Sequence, residues 1–173
     1  AEKSSIAFHA NTGAVWAYGN SKVTPYTEQF FVGGANSIRA FNARQIGPGS
    51  YRSSFRRRSY VEQTGDLKLQ MNLEYRPHLL GSLYGAVFLD AGNVWTLHHD
   101  TARKGGQFVF KNAFKQMALG TGVGLRYDIG YFMLRIDWGV GLHVPYNTGK
   151  RGLYNIAKFK DAQTLHLAIG LPF

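Results

Sequence analysis

Asp66-Leu67-Lys68-Leu69-Gln70-Met71-Asn72-Leu73-Glu74-Tyr75-Arg76 is the stretch from which the fold is read. Leu67, Leu69, Met71, Leu73 and Tyr75 fall on one face, and Asp66, Lys68, Gln70, Asn72, Glu74 and Arg76 on the other. Apolar and polar residues alternate over the whole stretch without an error, and a 3.6-residue helical period cannot imitate that. The segment is a strand with one greasy face and one charged face.

Similar runs lie on either side. In Gln116 to Gly130 the apolar face is Met117, Leu119, Val123, Leu125, Tyr127 and Ile129, interrupted by Thr121; Gly120, Gly122, Gly124, Arg126 and Asp128 lie opposite. Tyr131 to Val144 sets Phe132, Leu134, Ile136, Trp138, Val140 and Leu142 against Arg135, Asp137, Gly139, Gly141 and His143. Thr164 to Phe173 places Leu165, Leu167, Ile169, Leu171 and Phe173 on one face. Ile6 to Tyr18 alternates more weakly, and Leu83 to Trp95 is apolar on both faces except for Asp90 and Asn93. These runs reach ten residues or more, where strands of soluble proteins average about five or six. About nine to eleven residues is what a tilted strand needs to cross a bilayer. A soluble sandwich would turn the apolar face inward and would rarely carry so much glycine mid-strand. A membrane barrel turns the apolar face to lipid and leaves the inner face polar or small. The pattern predicts an all-β, antiparallel transmembrane β-barrel; a soluble basic β-protein is the competing reading.

Composition agrees. The 173 residues include 21 glycines, 12 phenylalanines, 10 tyrosines and 3 tryptophans, with no cysteine and a formal charge of +10. So much glycine and aromatic residue argues against a helical bundle. Without cysteine there is no disulfide scaffold, thiolate metal site or thiol nucleophile. No apolar run reaches the roughly 20 residues of a membrane-spanning helix. The start, Ala1-Glu2-Lys3-Ser4, reads as a mature or truncated terminus, not a signal peptide. Connections follow the order long, short, long, short, long: Asn20 to Gly65, Pro77 to Ser82, Thr96 to Lys115, Asp128-Ile129-Gly130, and Pro145 to Gln163. Outer-membrane barrels segregate loop lengths in this way, which places both chain ends on the periplasmic side.

The long first loop carries Phe30-Phe31-Val32-Gly33-Gly34-Ala35-Asn36-Ser37-Ile38-Arg39-Ala40-Phe41, then Gln45-Ile46-Gly47-Pro48-Gly49. This resembles the sixth-loop segment of the BamA/TamA family of outer-membrane barrel-assembly proteins, where a Val/Ile-Arg-Gly-aromatic motif follows a glycine-rich lead. Asn72-Leu73-Glu74-Tyr75-Arg76, Phe88-Leu89-Asp90-Ala91-Gly92-Asn93-Val94-Trp95, Gly122-Val123-Gly124-Leu125-Arg126 and Leu134-Arg135-Ile136-Asp137 also look like that family, in order and over essentially the whole chain. The spelling of the loop looks most like the TamA-like lipoproteins of Bacteroidetes-type bacteria. One departure is Ala40, where the family has glycine; alanine tolerates positive φ poorly, so a different path at the loop tip is expected. The resemblance implies a single C-terminal barrel segment over residues 1–173, about six long strands with an inward-folding loop over about 20–65, lacking the POTRA domains and N-terminal strands of full members. Six strands fall short of the eight in the smallest single-chain barrels. A C-terminal piece, a processed product or an oligomerising subunit is therefore expected.

The resemblance further implies that Arg39 folds into the lumen and pairs with Glu74 and Asp90, with Phe41 as the other motif anchor. A planar guanidinium fork can hold two carboxylates at once. Glu74 lies on the polar face of its strand, and an unpaired Asp90 facing lipid would be costly. By spacing alone all three could be ordinary solvated charges. Phe173, closing the last strand, resembles the terminal signal by which assembly machinery recognises clients, and is expected to pair edge-on with another strand. Arg56-Arg57-Arg58, with Arg52 nearby, reads as a solvated external loop or as a contact for lipopolysaccharide phosphates. Nucleic acid is not an expected partner, since no stacking platform accompanies the run. His98-His99-Asp100 reads as plain loop more readily than as a metal site. Gly120-Thr121-Gly122-Val123-Gly124 lies inside a strand with no helix after it, unlike a dinucleotide turn. Its glycines are expected to make room for a packed loop. Trp16, Tyr18, Trp95, Tyr127 and Tyr131 are candidates for interfacial girdles or for core aromatics. No catalytic residue, cofactor or metal is expected. The implied partners are client outer-membrane proteins, the lipid bilayer and lipopolysaccharide, and further barrel strands or copies of the chain. The implied location is the bacterial outer membrane, and the implied activity is assisting insertion, assembly or translocation of other proteins through a lateral seam. A small outer-membrane pore or barrel enzyme is the alternative.

Overall fold

The computed structural model describes residues 4–21, 23–53 and 63–173. Within them seven strands form one antiparallel sheet: β1 Ser5–Ala14, β2 Leu67–Arg76, β3 His78–Leu80, β4 Leu83–Trp95, β5 Ala118–Asp128, β6 Met133–His143 and β7 Gln163–Ile169. The sheet order is β1-β2-β4-β5-β6-β7, with β3 pairing only the start of β4. The sheet does not close, so β1 and β7 are its two edges. The long strands match those expected from the alternation, with three adjustments. β1 stops at Ala14, opposite the first residue of β2, instead of running to Tyr18. The connection Pro77 to Ser82 holds the short strand β3, reversed at Gly81 with φ 53°. β7 ends at Ile169, because Gly170 turns at φ 88° and Pro172 has no amide to offer a ladder.

The burial pattern of the sheet is inside out relative to a soluble protein. On β2 the polar residues Gln70, Asn72 and Glu74 are buried while Leu73 and Tyr75 are exposed. The register carries this across the sheet: Leu73 pairs with Phe8 and Leu89, Val87 with Val123, and Val123 with Trp138. All of these are exposed, and Leu165, Leu167 and Ile169 extend the face onto β7. A contiguous apolar belt of this size in water would be a severe aggregation hazard. Facing acyl chains, it is the lipid surface of a barrel wall.

The opposite face is covered by the segment between β1 and β2. Gly34 donates to the Phe41 carbonyl at 2.7 Å and Arg44 to that of Val32 at 2.9 Å, so the loop forms a compact double-back. Gly33, at φ 97°, makes this possible: a Cβ there would stand 2.1 Å from the Asn42 carbonyl oxygen. The apolar core of the chain lies in this layer, with Val32, Ile38, Ala40, Phe41 and Ile46 against Val94, Ala118, Val144 and Ile156.

Candidate functional site

The loop tip delivers Arg39 to the middle of the inner face, where its side chain is fully buried. Asp90 on β4 receives it as a fork: Nε donates to Oδ2 and Nη2 to Oδ1, both at 2.8 Å. The Arg39 backbone N–H donates to the same Oδ2 at 3.0 Å, so Asp90 reads both the side chain and the path of the main chain. Nη1 donates to Glu74 Oε2 on β2. The guanidinium also lies over the Phe88 ring, 3.7 Å from its centroid. The two carboxylates are brought together by register: Asn72 is opposite Asp90, and Glu74 opposite Phe88. Asn72 completes the seat, donating to the Ser37 carbonyl and to Asp90 Oδ1, each at 2.8 Å. The expected trio of Arg39, Glu74 and Asp90 is assembled.

The site extends beyond that trio. Glu74 also accepts from Arg76 Nε at 2.7 Å and from Arg126 Nη2 on β5 at 3.2 Å. Arg126 lies 2.6 Å from Asp137 Oδ1 on β6, and Arg135 lies 3.2 Å from the other oxygen of that carboxylate. Arg126 and Arg135 face one another across the β5–β6 ladder, a repulsive arrangement unless a carboxylate lies between them. Asp137 supplies it. Arg135 then reaches back to the loop lead, donating to the Ala35 carbonyl at 2.9 Å and to the Asn36 side chain. Four guanidiniums therefore share three carboxylates in a layer closed to water except at Arg76, which is partly exposed. Such a network is costly to break at any single member, since each loss strands buried charge.

The last strand joins too. Thr164 Oγ1 and His166 Nε2 on β7 donate to the Arg39 carbonyl at 2.5 and 3.0 Å. The residue whose side chain grips β2 and β4 is thus held by its backbone to the edge strand.

Two expectations about the loop tip change. Ala40 is not in the left-handed region; among the described non-glycine residues only Arg44 has positive φ, at 60°. Alanine therefore fits here without strain. Its methyl rests on bare backbone instead: a Cβ at Gly120 would come within 2.1 Å of the Ala40 Cβ, and one at Gly139 within 2.6 Å of the Arg39 carbonyl oxygen. Phe41 lies buried over Gly141. The inner-face glycines thus make room for the loop, except that Gly122 clears space for Phe88 and Gly124 for the Arg126–Asp137 pair. The second change concerns Phe173, which is not on a strand edge. After Gly170 the chain turns inward, and the Phe173 ring stacks on His9 of β1 with centroids 5.3 Å apart and planes at 10°. The guanidiniums of Arg76 and Arg39 lie 5.6 and 5.9 Å from its centroid.

Elsewhere the candidates separate. Trp95 is a core residue, not a girdle residue: it is fully buried, donates to Gln116 Oε1 at 2.8 Å and meets Phe108 edge-on. Trp16, Tyr18, Tyr127 and Tyr131 are exposed, as girdle residues would be. His98 turns to Asp66, 3.1 Å away, while Asp100 accepts from Arg103 at 2.7 Å, which holds its carboxyl below the usual range. Among the described residues no group of three or more His, Asp or Glu side chains is placed to hold a metal ion. Arg56, Arg57 and Arg58 lie outside the described residues, and Arg52 stacks on Tyr146.

Arg76, Arg126, Arg135, Asp137, Thr164 and His166 were not singled out as site residues from the sequence. The available signal was that Arg126, Arg135 and Asp137 share the glycine-bearing face of their strands. Which carboxylate each would meet depends on strand register, which alternation alone does not specify. Two comparisons bear on identity. Residues 1–173 match the family model described as the Omp85 superfamily domain. No curated protein matches.

Proposed function

The chain belongs to the Omp85 superfamily, a family of outer-membrane proteins that insert or translocate other proteins, and on that premise we propose that it is the C-terminal barrel portion of a BamA/TamA-type assembly protein. Within this proposal the loop bearing Arg39 is a conformational anchor that sets the position of the edge strand through which clients enter. The observation that carries the reading is the double hold on Arg39: its guanidinium is bound by Glu74 and Asp90, while its carbonyl is bound by Thr164 and His166 on β7. Displacing the loop would release the edge strand, and moving the edge strand would pull on the loop. No covalent chemistry or cofactor is needed. A passive pore gains nothing from such a coupling, and its inner face would be better left open. Phe173, folded against His9, would serve in the same proposal as a terminal contact that holds β7 inward.

The test is Arg39→Ala in the parent outer-membrane protein, with client barrels counted in the membrane fraction. Removing the guanidinium leaves the buried Asp90 without a cation while Glu74 keeps Arg76 and Arg126, a loss of about 3–5 kcal/mol, so client accumulation should fall even where the variant is present at wild-type level. Normal client accumulation in that variant would remove the assembly role.

A further inference from the structure

Large apolar side chains stand in the open beside lysines at the long-loop end of the sheet. The turns Phe110–Ala113 and Phe114–Gln116 lead into β5, and their Phe110 and Phe114 rings are 75% and 70% exposed while meeting edge to face at 6.5 Å. Lys111 and Lys115 each follow one of these rings in the chain. The turn Phe159–Ala162 leads into β7 in the same way, with exposed Phe159 between Lys158 and Lys160, and Leu153 is 82% exposed just after Lys150 and Arg151. The two groups share one rim: β5 and β7 flank β6, His143 at the end of β6 contacts the Lys115 carbonyl at 3.3 Å, and the Trp138 indole donates to Gln163 at 3.3 Å.

An exposed ring with an ammonium group on the adjacent residue suits the headgroup level of a membrane, where the ring enters the acyl boundary and the charge stays outside. Charge identifies the lipid. Residues 109–116 and 150–162 hold six cations, Lys111, Lys115, Lys150, Arg151, Lys158 and Lys160, against one carboxylate, Asp161. The exposed apolar face of β7 begins at Leu165, just after the turn Phe159–Ala162, so on the barrel reading the rings stand at the headgroup edge of the lipid-facing belt. We propose that the rim formed by Phe110, Phe114, Phe159 and their flanking lysines seats on the phosphates of the outer leaflet's phosphorylated glycolipid. Free phosphate would satisfy the lysines but leave the rings uncovered.

The inference rests on the membrane-barrel reading, and the test separates the two. The full chain, folded in neutral detergent, is titrated with diphosphoryl lipid A, and bound lipid is counted by native mass spectrometry. Lys111→Ala and Lys115→Ala should each weaken binding about fivefold at low salt, the contribution expected of one cation at an anionic surface. Phe110→Ser with Phe114→Ser should weaken it as well, and monophosphoryl lipid A should bind less than the diphosphoryl form. The proposal is overturned if these variants keep the wild-type circular dichroism spectrum and wild-type lipid A binding. Equal binding of phosphatidylcholine would also overturn it. A chain that folds as a soluble monomer without detergent would instead overturn the membrane reading itself.

Discussion

A single methyl group tests whether the loop is seated where the structure places it. Gly120 lies on the inner face of β5, and a Cβ built there would stand 2.1 Å from the Ala40 Cβ. Carbon atoms in contact rest about 3.5–4.0 Å apart, so the two methyls must separate by about 1.5 Å. The loop has little freedom to yield. Ala40 is also braced against Gly139, and Arg39 beside it is tied to Asp90 and Thr164. Gly120→Ala should therefore destabilise the folded chain by about 1–3 kcal/mol, the range for overpacking a filled interior. Ala40→Gly removes the opposing methyl, and the new Cβ would then face the residue-40 Cα at 3.5 Å, an ordinary contact. The pair G120A/A40G should recover most of the loss, giving a favourable coupling of about 1–2 kcal/mol between adjacent sites. The measurement is urea unfolding in lipid vesicles followed by tryptophan fluorescence, on the wild type, both single variants and the double. A Gly120→Ala variant as stable as the wild type, or strictly additive single effects, would show that Ala40 does not rest on β5.

Three further outcomes are expected. Val123→Arg, in the middle of the exposed apolar face of β5, should cost about 2–4 kcal/mol in a bilayer; a cost under about 0.5 kcal/mol, as on a water-facing surface, would refute the lipid assignment. Trp95→Ala should cost about 3–5 kcal/mol in the same unfolding assay, because the ring is enclosed and bonded to Gln116; a mild effect would return Trp95 to the girdle. Glu74→Gln should cost about 3–5 kcal/mol by leaving Arg39, Arg76 and Arg126 around a neutral side chain, and equal stability of wild type and variant would remove Glu74 from the anchor.

The strands were legible because lipid enforces an unusually clean rule. Every outward residue from Leu67 to Tyr75 must be apolar, and the inward ones are free to be anything else. Loop lengths were legible for a related reason, since the two sides of the membrane set different limits on them. The pairing of Arg39 with Glu74 and Asp90 was reachable only through resemblance, because nothing in spacing alone unites residues 39, 74 and 90. The second tier of the network was hidden by register and loop path: Arg135 meets Asp137 within its own strand but Asn36 in the loop packed against the sheet. The tip at Ala40 was misjudged because the glycine of related sequences invites a backbone explanation. In this chain the relevant glycines are Gly120 and Gly139, which give the methyl its place. Phe173 was misplaced because alternation continues through Leu171 and Phe173 although Gly170 and Pro172 end the ladder between them.

The chain order of the anchor has a kinetic consequence. Arg39 precedes its partners by 35 residues at Glu74, 51 at Asp90, 125 at Thr164 and 127 at His166. Contacts at such separations close the largest loops and are the slowest to form. The carboxylates become available once β2 and β4 have paired, but the backbone of Arg39 finds its donors only after β7 is in place. During synthesis and insertion the motif loop must therefore wait, half engaged, while three more strands are laid beside it, and its seating marks the end of folding.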